Sequence, residues 1–179
     1  MNEIQNNGNH LSYRFSDSNL EKCNKLLEAE IIKMWRWESE CLSSLKALAD
    51  KIESRYLASV IEQFFLESDL QVKRLVKINE VLQIHDTHLK WRPDLEVAQS
   101  MEPFRRAIRS YADEDLIKRW TLLLALGKLI HCKMSCYQSL ISWSKFLRLY
   151  GVQELLEDSL DEYVQQDLLL NLLSENWES

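Results

Sequence analysis

Three glycines and two prolines in 179 residues leave this chain few places where a helix has to stop. In a helix interior Gly costs about 1 kcal/mol and Pro about 3 kcal/mol relative to Ala, so their scarcity predicts long, uninterrupted helices. A hydrophobic share of 46% with 28% charged residues supplies enough apolar surface to bury, which a disordered chain lacks. At this length one domain is expected.

Apolar spacing then divides the chain into segments. Met1 to Ser16 is polar and reads as a flexible N-terminal arm, and residues 17–175 read as the folded bundle. Ser18 with Glu21 has the form of a capping box that opens a first helix from about Asn19 to about Lys51. Its expected inward stripe is Leu20, Cys23, Leu27, Glu30, Met34, Trp37, Cys41, Ser44 and Leu48, in steps of three and four. Glu30 is the anomaly, a carboxylate with apolar residues a turn to either side.

A break near Glu53 and Ser54 precedes a second helix ending near Gln83, with Leu57, Ile61, Phe64, Ser68, Leu75, Ile78 and Leu82 inward. Ile84 to Pro93, with His85 and His88, reads as a loop. A shorter helix follows from about Asp94 to Tyr111, burying Met101, Phe104, Ile108 and Tyr111, with Pro103 able to bend or restart it. Asp113 is expected to cap the fourth helix and Gly151 to end it. Leu116, Trp120, Leu123, Gly127, Ile130, Met134, Tyr137 and Ile141 form its stripe. The last helix, about Val152 to Leu173, is expected to bury Leu156, Leu160, Tyr163, Asp167 and Leu170. The reading is all-α: an antiparallel helical bundle of four long helices and one shorter one.

A net charge of -6 argues against nucleic acid as a partner, since phosphate binding needs a basic surface. Arg105, Arg106 and Arg109 cluster, but as a solvated helix face. No apolar run is long enough to cross a bilayer and the N-terminus has no signal-peptide core, so the expectation is a cytoplasmic protein without membrane partners. Cys23 and Cys41 would lie about 27 Å apart on one helix, too far to bridge. Cys132 and Cys136, beside His131, make only a weak zinc signal, and reduced thiols are the simpler reading.

The order of motifs resembles the YciF-like branch of the ferritin-like superfamily over about residues 20 to 173. Leu26-Leu27-Glu28-Ala29-Glu30 stands for its Leu-Tyr-x-Ala-Glu pattern. Phe64, Glu67, Ser68 and Gln71-Val72-Lys73-Arg74-Leu75 stand for His-x-x-Glu-Thr and Gln-Val-x-Arg-Leu. Met101-Glu102-Pro103-Phe104-Arg105-Arg106-Ala107 matches the short helix, with Ala107 where the family has a final Glu. Ile130-His131-Cys132-Lys133 replaces Glu-His-Tyr-Glu, with Tyr137 kept. Leu160, Asp161, Glu162 and Asp167 match the last helix, with Tyr163 in place of a Glu.

The resemblance implies a ferritin-like bundle and, in the family, a metal site of carboxylates and histidines. Such iron cages need about four carboxylates and two imidazoles from facing helices. Phe64, Ala107, Ile130 and Tyr163 remove ligand-type groups from four helices at once. What remains suggests a relic polar cluster of Glu30, His131, Tyr163 and Asp167. If any metal binds, the candidate ligands are Glu30, Glu67, His131 and Asp167.

The expected function is therefore a non-catalytic structural or protein-interaction module without a cofactor, self-associating as a homodimer, with a further protein partner open. The resemblance also implies a link to bacterial stress responses. The aromatic residues off the stripes, Trp35, Trp91, Trp143 and Tyr150, suit either a partner surface or the capping of bundle ends. The alternative is a residual metal protein, holding iron or another divalent ion on an incomplete site with oxidoreductase-type chemistry. A carrier of an apolar ligand between the helices is a third reading.

Overall fold

The computed structural model describes residues 17–84, 94–112 and 115–175. They form five helices: α1 Asp17–Ala49, α2 Arg55–Val81, α3 Leu95–Ser110, α4 Leu116–Phe146 and α5 Tyr150–Glu175. Among the described residues there is no strand. Short connections fold α2 back on α1 and α5 back on α4, and α2 closes against α5. The shorter α3 lies against both α1 and α4.

The helix ends follow from local side chains. Ser54 caps α2, its hydroxyl accepting from the Leu57 amide at 3.5 Å. Asp94 caps α3, accepting from the amides of Glu96 at 3.0 Å and Val97 at 3.2 Å. Asp115 caps α4, accepting from Ile117 at 3.0 Å and Lys118 at 3.2 Å. The backbone donor of Lys118 is the main reason its carboxyl titrates below the ordinary aspartate range. Asp113, the cap expected from sequence, lies outside the described residues, as do the N-terminal arm, His85, His88 and Trp91. α1 already includes Asp17, so Ser18 stands within its first turn and not at a cap.

Two helices end without glycine. Gln83 after α2 and Arg148 after α4 have φ of 54° and 60°, the left-handed region that glycine usually fills. Each is followed by the same closing bond, Ile84 N–H to the Asn79 carbonyl at 3.0 Å and Leu149 N–H to the Ser144 carbonyl at 2.9 Å. This is the Schellman arrangement, which satisfies carbonyls the helix itself leaves open. Gly151, expected to end α4, sits instead in the first turn of α5. Pro103 lies inside α3, on its exposed side.

The inward faces of α2 and α3 are those the spacing predicts, with Leu82 half-buried and Val60, Gln71, Asn79, Val97 and Ala107 added. α1 is rotated from its expected phase. Its innermost row is Leu27, Ile31, Met34, Glu38, Cys41, Leu45 and Leu48, with the expected Trp37 also buried, while Leu20 is exposed and Cys23, Glu30 and Ser44 are only partly covered. α4 differs more: Leu123, Ile130 and Tyr137 of its expected stripe are buried, but Leu116 and Trp120 are exposed, and the innermost row runs Leu122, Leu126, Leu129, Lys133, Tyr137, Leu140 and Ser144. In α5, Ser159 and Gln166 are inside, whereas Leu160 and Asp167 are half-buried.

Candidate functional site

The seams of α1 and α4 each carry one charge to the middle of the bundle. Glu38 follows Met34 by one turn and Lys133 precedes Tyr137 by one turn, so core packing of their neighbours holds both side chains inward. Both are 0% exposed. The Lys133 ammonium donates to Glu38 Oε2 at 2.6 Å and to the Tyr163 hydroxyl at 3.0 Å. Tyr163 in turn donates to the Glu38 carboxylate, with its hydroxyl 2.7 and 2.8 Å from the two oxygens. Tyr137 donates to Glu38 Oε1 at 3.1 Å. Three helices thus meet on one carboxylate.

The electrostatics follow from this crowding. Burial acts against the Lys133 charge, yet its pKa stands above the ordinary lysine value. Cys41 would favour the ammonium if ionised, but burial pushes the Cys41 thiol up and keeps it neutral. Glu38 is therefore the group that holds Lys133 charged. Burial first, and the Glu38 charge second, push Tyr137 and Tyr163 well above the ordinary phenol value. Both remain neutral donors, and the network is fully paired.

Beside it a void of about 10 Å³ is bounded by Cys41, Phe64, Ser68, Ile130, Lys133 and Gln166, among others. That is room for about one water molecule, not for a substrate. Phe64, Ala107, Ile130 and Tyr163, the positions where the resemblance expects ligands, are all buried. The α1 residues that share a void with Phe64, Ile130 and Tyr163 are Cys41 and Leu45, about three and four helical turns beyond Glu30.

The expected polar cluster does not form as a unit. Glu30, with a side chain 45% exposed, pairs with Lys33 on its own helix at 2.9 Å. Ile31 holds the inward position beside it. His131 and Asp167 do meet, at 2.8 Å across α4 and α5, but on the surface, with the histidine side chain 64% exposed. Tyr163 belongs to the Glu38 network. Glu67 accepts from Gln166 and Gln63, each at 2.8 Å.

Glu162 forms a bidentate pair with Arg74, at 2.5 and 2.7 Å, that fastens α2 to α5. Among the described residues, no three His, Cys, Asp or Glu side chains converge as a metal would require. A lysine ammonium, two phenols and one carboxylate do not fit a hard-cation cage, which needs several anionic oxygens and no fixed cation.

Sequence reasoning missed Glu38, and with it the partner of Lys133, which was noted only as standing in place of a family Glu. The signal was present: Leu27, Ile31, Met34, Glu38, Cys41, Leu45, Leu48 is a strict alternation of four and three.

Residues 22–177 match DUF892, described as a domain of unknown function. No curated protein matches the chain. Among solved structures, the fold is similar to the E. coli stress protein YciF at a TM-score of 0.74 and 17% identity, covering 86% of this chain and 95% of that one. It is also similar to YcfI of Rhodopseudomonas palustris, described as a candidate structural protein, at 0.69 and 15%, covering 88% and 98%. At these identities the likeness is one of fold.

Proposed function

Because the chain belongs to the DUF892 family, we propose that it is a non-catalytic ferritin-like bundle in which a paired lysine stands in the space a metal site would need. On this reading it acts as a structural or protein-interaction module, linked to stress as its fold neighbour YciF is described to be. The carrying observation is the Lys133–Glu38 pair, with neither side chain exposed.

A cation in a bundle core neutralises inward carboxylates. Here a covalently attached ammonium does so, and it cannot be exchanged or change oxidation state. Phe64 and Ile130 fill the neighbouring volume, and each large apolar side chain buried there contributes roughly 1.5–3 kcal/mol. The two tyrosines, lifted above their ordinary pKa, keep their protons and serve as fixed hydrogen-bond donors rather than as acids. An active site also needs an opening for substrate, and the void at this level holds about one water molecule.

Elemental analysis of protein purified without added chelator tests the proposal, together with an iron(II) oxidation assay. The expected result is no stoichiometric metal and no oxidation above buffer. About two iron atoms per chain, on the family's pattern, would overturn it.

A further inference from the structure

We propose that Cys132 and Cys136, one helical turn apart on α4, form a two-thiolate site for a single soft monovalent cation, Cu(I). The site lies apart from the Glu38 network and does not rest on the reading of the bundle core. α4 runs unbroken from Leu116 to Phe146, so residues four apart stand on one face of it. Cys132 is exposed and Cys136 is partly covered, which leaves the pair an approach from solvent.

Geometry decides what this pair can do. In a helix the Cβ atoms of residues four apart are about 5–6 Å from each other. A disulfide needs about 3.8 Å between them, so oxidation to a bridge requires the turn around Lys133 to open. That turn is held from inside by the Lys133–Glu38 pair. An ion between the sulfurs makes no such demand. With each metal–sulfur bond about 2.3 Å long, as for zinc thiolates, the sulfurs can stay roughly 4.5 Å apart. Rotation of the two side chains reaches that span with the backbone unmoved.

The surroundings then select the ion. His131 adjoins Cys132 in sequence, but it projects about 100° away round the helix. Its Nε2 is engaged with Asp167 at 2.8 Å. Glu30, Lys33 and Glu96 are the charged groups that act on Cys136 from α1 and α3. Lys33 holds both carboxylates, at 2.9 and 3.0 Å, so neither is free to join the sulfurs. Among the described residues no third His, Cys, Asp or Glu completes the group. Zinc, which takes four ligands, is poorly served by two. Paired thiolates suit Cu(I), a soft ion that accepts two-coordination.

Binding exchanges protons and moves no electrons. Two copper–sulfur bonds form as two S–H bonds break, and both protons pass to solvent. The complex carries one negative charge, which the exposed Cys132 side leaves open to water and counter-ions.

Anaerobic titration of the reduced full chain, prepared without added copper, tests the inference. Cu(I) is supplied in acetonitrile, with the coloured chelator bathocuproine disulfonate as competitor. The expected result is about one copper per chain, with a thiolate-to-copper charge-transfer band in the ultraviolet. Cys132→Ser and Cys136→Ser should each weaken binding by about 100-fold or more, since a chelating pair is then reduced to one sulfur. Cys23→Ser should leave binding unchanged. Neither Cys132 nor Cys136 is fully buried, so each variant should keep its helical circular dichroism spectrum. In the unaltered chain, copper should also protect Cys132 and Cys136, but not Cys23, from iodoacetamide. Copper surrendered entirely to the chelator would overturn the inference, as would binding that survives either serine or leaves both thiols unprotected. Zn(II) held as tightly as Cu(I) would overturn it too, because further ligands must then join the sulfurs.

Discussion

Lys133 and Glu38 form a salt bridge of 2.6 Å between two helices, with both side chains fully withdrawn from solvent. Taking two charges out of water costs several kcal/mol each, and their attraction offsets this only when the remaining hydrogen-bonding capacity is used. Tyr137 and Tyr163 use it on the carboxylate side, and Tyr163 accepts from the lysine. The pair thus depends on its neighbours.

Breaking the pair on one side should be worse than removing both charges. Lys133→Met leaves the Glu38 carboxylate buried without its cation and is expected to cost about 3–5 kcal/mol. Adding Glu38→Leu to it should recover part of that loss, because no orphaned charge then remains. Urea denaturation of the two single variants and the double variant gives the coupling. Additive losses would mean that the two groups do not interact as their distance implies.

Tyr163 touches both charged partners, Tyr137 only one. Tyr163→Phe should therefore cost more than Tyr137→Phe, about 1–3 kcal/mol for the first. The ring is kept in both cases, so packing does not confound the comparison. Equal melting temperatures for the two variants would contradict the ranking.

The expectations that held came from helices whose apolar stripe is flanked by polar residues. α2 is of this kind, and its spacing names its core from Leu57 to Ile78. α4 is not: from Leu122 to Leu126 the chain is apolar on every side, so periodicity alone cannot say which way it faces. Lys133 lies off the expected stripe of Leu123, Ile130 and Tyr137, yet all four are buried, so the inner face of α4 is broader than one stripe. Glu30 drew attention as a carboxylate on one plausible seam of α1, while Glu38 occupied the true one. A buried charge is legible only through its partner, and the partner lay 95 residues away.

Stability should fall at alkaline pH. Cys41, Tyr137, Tyr163 and Lys133 all have folded-state pKa values above their ordinary ones. A raised group contributes stability that is fully present below its unfolded pKa and is lost as pH rises through the folded value. The ordinary values are 9.0 for the thiol, 10.0 for the phenols and 10.5 for the ammonium. The curve should therefore run without loss from these groups up to about pH 9 and decline above it. Tyr137→Phe should flatten that decline by removing one of the contributors. Melting curves between neutral pH and about pH 11 are the measurement, and a parent protein equally stable across that range would refute the assignment.

The four thiols should separate by accessibility. Cys132 is exposed on α4, Cys23 and Cys136 are partly covered, and Cys41 is buried with its pKa raised by that burial. Since the thiolate is the reactive form, Cys41 is protected twice, by access and by protonation. Brief treatment with iodoacetamide at neutral pH, read by peptide mass spectrometry, should label Cys132 first and leave Cys41 unlabelled until denaturant is added. Early labelling of Cys41 would show that the core opens on that timescale.

Gly151 offers a test of the helix boundary itself. It lies in the first turn of α5, and a Cβ added there would meet nothing within 4 Å. Its φ is not positive, so no left-handed conformation requires glycine. Arg148, with φ of 60°, is the residue that carries the turn. Gly151→Ala should therefore stabilise the protein, by about 0.4–1 kcal/mol, through the lower entropy of the unfolded chain. Arg148→Gly should also be tolerated or stabilising, since glycine adopts that φ without strain. If Gly151→Ala were instead destabilising by more than about 1 kcal/mol, Gly151 would be the left-handed residue after all, and α4 would end later than the Schellman bond at Leu149 places it.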